Sequence, residues 1–258
     1  MAVERTGQSD PARIIQLLWG TRRRSGRGPK PILTLGKIVT AAIAIADIEG
    51  TAGLSMRRVA EQLGVGTMTL YRHVPGRAEL LDVMVDRVCA EAAGVRRRAG
   101  TWRPRLEQIA RDNRRLFDRH PWLLEVSTLR PPLGPGVLAK YEHELDAVEG
   151  IGLSDVEMDA VVTLVVGYAR AAAEASFEAA QARAGQTDDE WWTALAPHLD
   201  SVFDAARYPL AARVGVAAAE HHEGVFDPEH AFEFGLQRVL DGIGMLVERR
   251  ELRIDASE

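Results

Sequence analysis

From Thr67 to His73 the chain reads Thr-Met-Thr-Leu-Tyr-Arg-His, so hydrogen-bonding, cationic and apolar side-chain tips follow one another within two helical turns. Carried on one helix face, Thr67, Met68, Thr69, Tyr71, Arg72 and His73 can meet base edges, thymine methyls and phosphates in a major groove. Leu70 and Val74 are spaced to hold the opposite face inward. Lys37, Ser55 and Arg57 upstream join them as candidate DNA contacts. Arg77 downstream stands at a helix start, where a cation and free backbone N–H groups could hold one phosphate together. A second group, His221-His222-Glu223 with Glu229-His230, offers metal-ligand types and, as a remote alternative, a metal-dependent enzyme. Its spacing argues against that. Consecutive His221 and His222 point apart on a helix, and the chain has no HExxH, CxxC, P-loop or GxSxG pattern. No enzyme activity, metal or cofactor is expected.

The reading face needs a short helix presented by a turn. Ser55 can cap a helix whose apolar positions Met56, Val59, Ala60 and Leu63 recur at three and four residues. Gly64 stops that helix, and Gly64-Val65-Gly66 forms a three-residue turn suited to a steep crossing. Thr67 to Val74 is then the reading helix, ended by Pro75-Gly76. Thr34 to Glu49 precedes it, with Thr34 as cap and Leu35, Ile38, Val39, Ala42, Ile45 and Ala46 inward. Ala78 to about Ala93 follows, with Leu80, Leu81, Met84, Val88 and Ala92 on one stripe.

Ile38, Ala41, Ala42 and Ala46, Gly50, and then SMRRVAEQLGVGTMTLYRHV and GRAELLDVMVDRV stand in register. On these residues the segment Ile38 to Met84 resembles the N-terminal domain of the TetR family of transcriptional repressors. Gly66 departs from the family pattern, which more often has a capping side chain there; glycine caps less well. The resemblance implies a homodimer on a palindromic operator of double-stranded DNA. It also implies a small-molecule inducer that shifts the fourth helix, separates the two reading helices and releases DNA, and it points to an exporter gene as the target. A regulator of the same type answering to a protein partner is the alternative.

Net charge is −5, but residues 1–100 carry 16 Lys/Arg against 9 Asp/Glu and residues 101–258 carry 16 against 28. A basic head on an acidic body approaches DNA head first. Arg22, Arg23, Arg24, Arg27 and Lys30 lie in a glycine-rich stretch with too little apolar surface to fold alone, so residues 1–33 are expected to be a partly disordered arm entering a minor groove. Ile14 to Trp19 could form a short helix against the body. Cys89, the single cysteine, excludes an internal disulfide and is expected to be a small core side chain. The first apolar stretch, Ile14 to Trp19, is too short for a leader, and the longest tract, Ala160 to Ala169, is shorter than the roughly 18 residues of a bilayer span. A cytoplasmic protein without a membrane partner is expected. Three lysines, Lys30, Lys37 and Lys140, against many arginines point to a GC-rich, actinobacterial genome.

The expected fold is all-α, with a helix-turn-helix head at 34–81 and a ligand-binding and dimerisation body at 82–258. Gly167 and Ala171 on a long helix from about Met158, with Phe232, Leu236, Val239, Ile243 and Leu246 on the last one, suit a four-helix dimer seam. Asp227, Pro228 and Glu229 mark the start of that last helix. Phe117, Trp122, Tyr168, Phe177, Trp191 and Trp192, with Arg170 or His198 as polar handles, are expected to line a pocket for a small apolar or aromatic inducer.

Overall fold

The computed structural model describes residues 4–7, 9–20, 33–93, 100–222 and 225–255, with side chains through Arg250. Among these residues eleven helices account for nearly all regular structure, so the all-α expectation holds. The head contains α2 (Leu35–Gly53), α3 (Met56–Leu63), α4 (Thr67–Tyr71) and the start of α5 (Arg77–Ala92). The body contains α6 (Trp102–Arg119), a 3-10 turn at Pro121–Glu125, α7 (Pro135–Asp146), α8 (Asp155–Gly185), α9 (Asp188–Asp200), α10 (Pro209–His222) and α11 (Pro228–Asp255).

Local chemistry sets the helix ends. The Thr34 hydroxyl accepts from Lys37 N, and Ser55 accepts from Arg58 N. Gly50 has φ +67°, which breaks α2, and a Cβ there would lie 2.8 Å from Glu125 Oε1. Gly64 has φ +64° and closes α3. Ser154 and Glu157 form a reciprocal capping box at α8, while Asp227 Oδ1 accepts from Glu229 N and His230 N at α11. Past the tryptophan pair α9 ends at Asp200, Asp204 turns the chain by accepting from Ala206 N and Arg207 N, and Pro209 opens α10.

The described part of the N-terminal segment is packed and contains the short helix expected from Ile14 to Trp19, while residues 21–32 lie outside the described residues. β1 (Glu4–Arg5) pairs in parallel with β2 (Val126–Ser127), and α1 (Pro11–Leu18) buries Ile14. Asp82 of α5 accepts from Gly7 N and Ser9 Oγ, which anchors this segment to the helix joining head and body.

Two apolar cores organise the chain. The first holds the head residues Ile38, Ala42, Val59, Leu70, Val74, Leu80 and Met84 together with Phe117, Trp122 and Leu123 of the body. Head and body are therefore joined by shared packing. The second unites α6, α8 and α11 through Leu106, Ile109, Val162, Val165, Phe232, Leu236, Leu240 and Ile243. Burial pushes the Cys89 thiol up to about 11, which keeps it protonated and unreactive.

Candidate nucleic-acid interface

α3 buries Met56, Val59 and Ala60, and α4 is fixed by Leu70 and Val74, both fully buried. Outward from this base, Met68 is 74% exposed and Tyr71 44%. Arg72 is exposed as well, with Thr67, Thr69 and His73 half-exposed beside it. The six side chains singled out between Thr67 and His73 thus share one accessible surface. α4 is shorter than the expected Thr67 to Val74, and Gly66 supplies no side-chain cap. Lys37 and Arg57 are exposed; Arg57 pairs with Glu61 at 2.8 Å, a solvent-facing contact that a phosphate can displace. Ser55 is committed to its cap. Arg22, Arg23, Arg24, Arg27 and Lys30 lie outside the described residues.

Arg77 requires a correction. Its Nε donates to Leu54 O at 2.9 Å, Nη2 donates to Thr51 O at 2.8 Å, and Nη1 pairs with Glu4 at 2.9 Å. The guanidinium fork is spent inside the protein, clamping the α2–α3 connection to the start of α5 and to β1. Its partners are distant in sequence, so local spacing could not reveal them. Arg77→Ala is expected to lower stability by about 1–3 kcal/mol, because Leu54 O loses the guanidinium and Thr51 O keeps only the Leu54 N–H, while the salt slope of operator binding stays unchanged. Thermal melts and operator titrations at several salt concentrations check both. Arg13 of α1 is a cation that sequence reading missed: it shares a small recess with Tyr71, Arg72 and His73.

Between head and body lies a polar joint. Asp47 Oδ1 of α2 meets His120 Nδ1 at 2.7 Å and accepts from Trp122 Nε1 at 2.8 Å. Glu125 Oε2 accepts from Thr51 N and from the Thr51 hydroxyl. Thr51 thereby bonds to the 3-10 turn on one side and to Arg77 on the other, which ties the body's turn to the helix-turn-helix.

The eight pocket candidates do not converge on one site, although Arg170 lies over the Phe117 ring in the core that holds Trp122, and Trp191 lies beside Trp192. Trp122 is fully buried in the joint, Phe117 packs beside it, and Arg170 donates to Leu124 O at 2.7 Å. Tyr168 Oη donates to the carbonyls of Ala231 and Phe232, lying over Gly235 where a Cβ would clash at 2.1 Å. Phe177, Trp191 and Trp192 are exposed, as is His198, because no residue of α9 is buried against the chain. Aromatic type alone did not distinguish joint, latch and surface. A recess of about 470 Å³ between α7 and α8 holds none of the eight and is rich in carboxylates, including Glu142, Asp146, Glu149 and Asp155. The reading missed Asn113 and Arg114 of α6, whose Oδ1 and Nη1 are buried without partners. Asn113 was detectable as a polar residue on the stripe Leu106, Ile109, Ala110, Leu116 and Phe117.

The expected dimer seam is also redrawn. Phe232, Leu236 and Ile243 are at most 3% exposed and face the protein's own α6 and α8, with Val239 and Leu246 at the edge of that core. Heptad-like spacing located an apolar stripe but not which bundle it enters. The outward faces carry Leu164, Gly167 and Ala171 on α8 and Phe234, Gly242 and Met245 on α11.

A helix-turn-helix head on a body of this topology matches known proteins along most of its length. Residues 38–84 match the family described as "Bacterial regulatory proteins, tetR family", and residues 96–247 match "Tetracyclin repressor-like, C-terminal domain". The chain belongs to the TetR family of transcriptional regulators. It is 45% identical over 253 residues to the HTH-type transcriptional repressor DrrR1 of Streptomyces coeruleorubidus, covering 96% of this chain and 91% of that protein. Apo ActR of Streptomyces coelicolor is 28% identical with a TM-score of 0.68, covering 86% of this chain and 99% of that one. ActR in complex with actinorhodin is 29% identical with a TM-score of 0.66, covering 83% and 96%. The chain is thus a DNA-binding repressor of the TetR type, in a family of regulators rather than enzymes.

Proposed function

We propose that this repressor binds a palindromic operator as a homodimer, one head per half-site, and leaves it when a small apolar or aromatic molecule enters the body. An exporter gene is the proposed target, the cytoplasm the proposed compartment, and residues 34–81 and 82–258 the proposed reading head and responding body. The observation that carries the reading is the hydrogen-bonded joint from Glu125 and Trp122 through Asp47 and Thr51 to Arg77, because it couples body and head. Support for a ligand comes from Asn113 Oδ1 and Arg114 Nη1, buried without partners although Asn113 Nδ2 and Arg114 Nη2 are bonded, with the Arg114 guanidinium 4.5 Å over the Phe232 ring that stacks on Tyr168. A planar ligand with a polar edge would satisfy them. The relative ActR has been crystallised with actinorhodin, which accords with such a site.

α8 is long and apolar enough by composition to cross a membrane, with a mean hydropathy of 1.3 in its most apolar stretch. We read its exposed stripe as half of a dimer seam instead, since the outward stripe of α11 continues it.

Ligand control is tested by linkage. With actinorhodin as the first probe, operator DNA is expected to weaken ligand binding by the same factor by which ligand weakens DNA binding, typically about 5–150-fold. Titration calorimetry with and without operator measures it; equal ligand affinity in both states would remove the regulatory role. Arginine-to-alanine replacement at Arg22, Arg23, Arg24 and Arg27 is expected to make the slope of log affinity against log salt shallower by up to about 0.9 for each phosphate that is no longer neutralised, most on A·T-rich flanks. The substitutions leave the packed residues Glu4 to Leu18 in place, whereas a deletion would not.

A further inference from the structure

α10 ends and α11 begins on three imidazoles. His221 and His222 close α10, and His230 lies in the first turn of α11. Their ring centres form a nearly equilateral triangle, with separations of 5.1 Å for His221 and His222, 5.0 Å for His221 and His230, and 5.0 Å for His222 and His230. This overturns the expectation that His221 and His222 point apart. Both rings lie against His230 of α11.

The spacing has a chemical meaning. A zinc ion about 2.0–2.1 Å from an imidazole nitrogen lies roughly 3.2 Å from the ring centre, and three rings at tetrahedral angles around it have centres roughly 5.2 Å apart. The observed triangle agrees to within a few tenths of an ångström. No core packing demands it, since His221 and His230 are exposed. His222 Nδ1, by contrast, is enclosed and lacks a hydrogen-bond partner. His230 is steadied by stacking on Phe234, one turn along α11, with ring centres 6.3 Å apart. Asp227, fixed by the N–H groups of Glu229 and His230, places a carboxylate at the start of α11 beside the cluster.

We propose that His221, His222 and His230 form a site for a divalent cation that favours imidazole, such as Zn²⁺ or Ni²⁺, with water as a further ligand. The ion would staple the end of α10 to the start of α11. Among the described residues no three donor atoms face one centre as the side chains stand, so capture takes rotation of the rings, which exposed side chains make within nanoseconds. The site is independent of the inducer and of the proposed pocket.

The test uses full-length protein without a histidine tag, freed of metal by a chelator. Titration with Co²⁺ is expected to give one equivalent per chain and the visible absorption bands of four-coordinate cobalt, removed by competing Zn²⁺. His222→Ala and His230→Ala are each expected to weaken Zn²⁺ binding at least about ten-fold, since loss of even an outer-shell partner costs that much. His198→Ala, on α9, should bind as the parent does. Zn²⁺ should also slow proteolysis between His222 and Asp227 in the parent and not in His230→Ala. Absence of the cobalt bands, or equal Zn²⁺ affinity in the parent and His230→Ala with unchanged circular dichroism, overturns the site.

Discussion

Trp122→Ala is expected to lower stability by about 3–5 kcal/mol, the cost of truncating a fully buried tryptophan, and to weaken operator binding by loosening the head. The ring fills the core shared by α2, α5 and the 3-10 turn, and its N–H satisfies Asp47 Oδ1. Truncation leaves both a cavity and a carboxylate with one donor fewer. A protein of this size has about 5–15 kcal/mol of stability in all, so a loss of this size is a large fraction. Trp191→Ala, which removes a side chain 42% exposed on α9, is the matched control and should stay within about 0.5 kcal/mol. Denaturant unfolding of the two variants decides the point. A Trp122 variant as stable as the Trp191 variant would mean that the joint does not hold head to body.

The difference between these two tryptophans shows what sequence could and could not disclose. Both were expected to line one pocket, because residue type reports a preference for burial but not the partner. Features set within four residues were legible: the Ser55 cap, the Gly64 stop, the inward Leu70 and Val74, and the start of α11 at Asp227, Pro228 and Glu229. Features made by distant segments were not. Arg77 looked like a phosphate ligand until Thr51, Leu54 and Glu4 came round to its guanidinium, and Trp122 looked like a pocket wall until Asp47 met its indole. His221 and His222 looked divergent on one helix, yet the approach of His230 gathers all three rings. The exposure of the side chains between Thr67 and His73, apart from the buried Leu70, was legible because it is set by what their own short helix turns outward.

Leu164→Arg is expected to dissociate the proposed dimer and abolish operator binding while leaving the subunit folded. Leu164 is 51% exposed on the outward stripe of α8, so within one chain the substitution costs little. Across a two-fold seam it places two cations among apolar side chains, and an unpaired buried charge costs about 3–5 kcal/mol. Even the lower figure raises the dissociation constant more than about 100-fold. A half-site bound by one short reader such as α4 is weak, so operator affinity should fall with the dimer. Ile243→Asp gives the contrasting outcome that separates the two faces of α11. Ile243 is 3% exposed inside its own subunit's core, so that variant should lose folded protein altogether, as thermal melts would report. Met245→Arg, on the outward face of the same helix, should instead melt like the parent and sediment as a monomer. Sedimentation velocity at micromolar concentration, read beside operator titrations, checks the set. Leu164→Arg and Met245→Arg proteins that remain dimeric and bind operator normally would show that the outward stripes of α8 and α11 are not the seam.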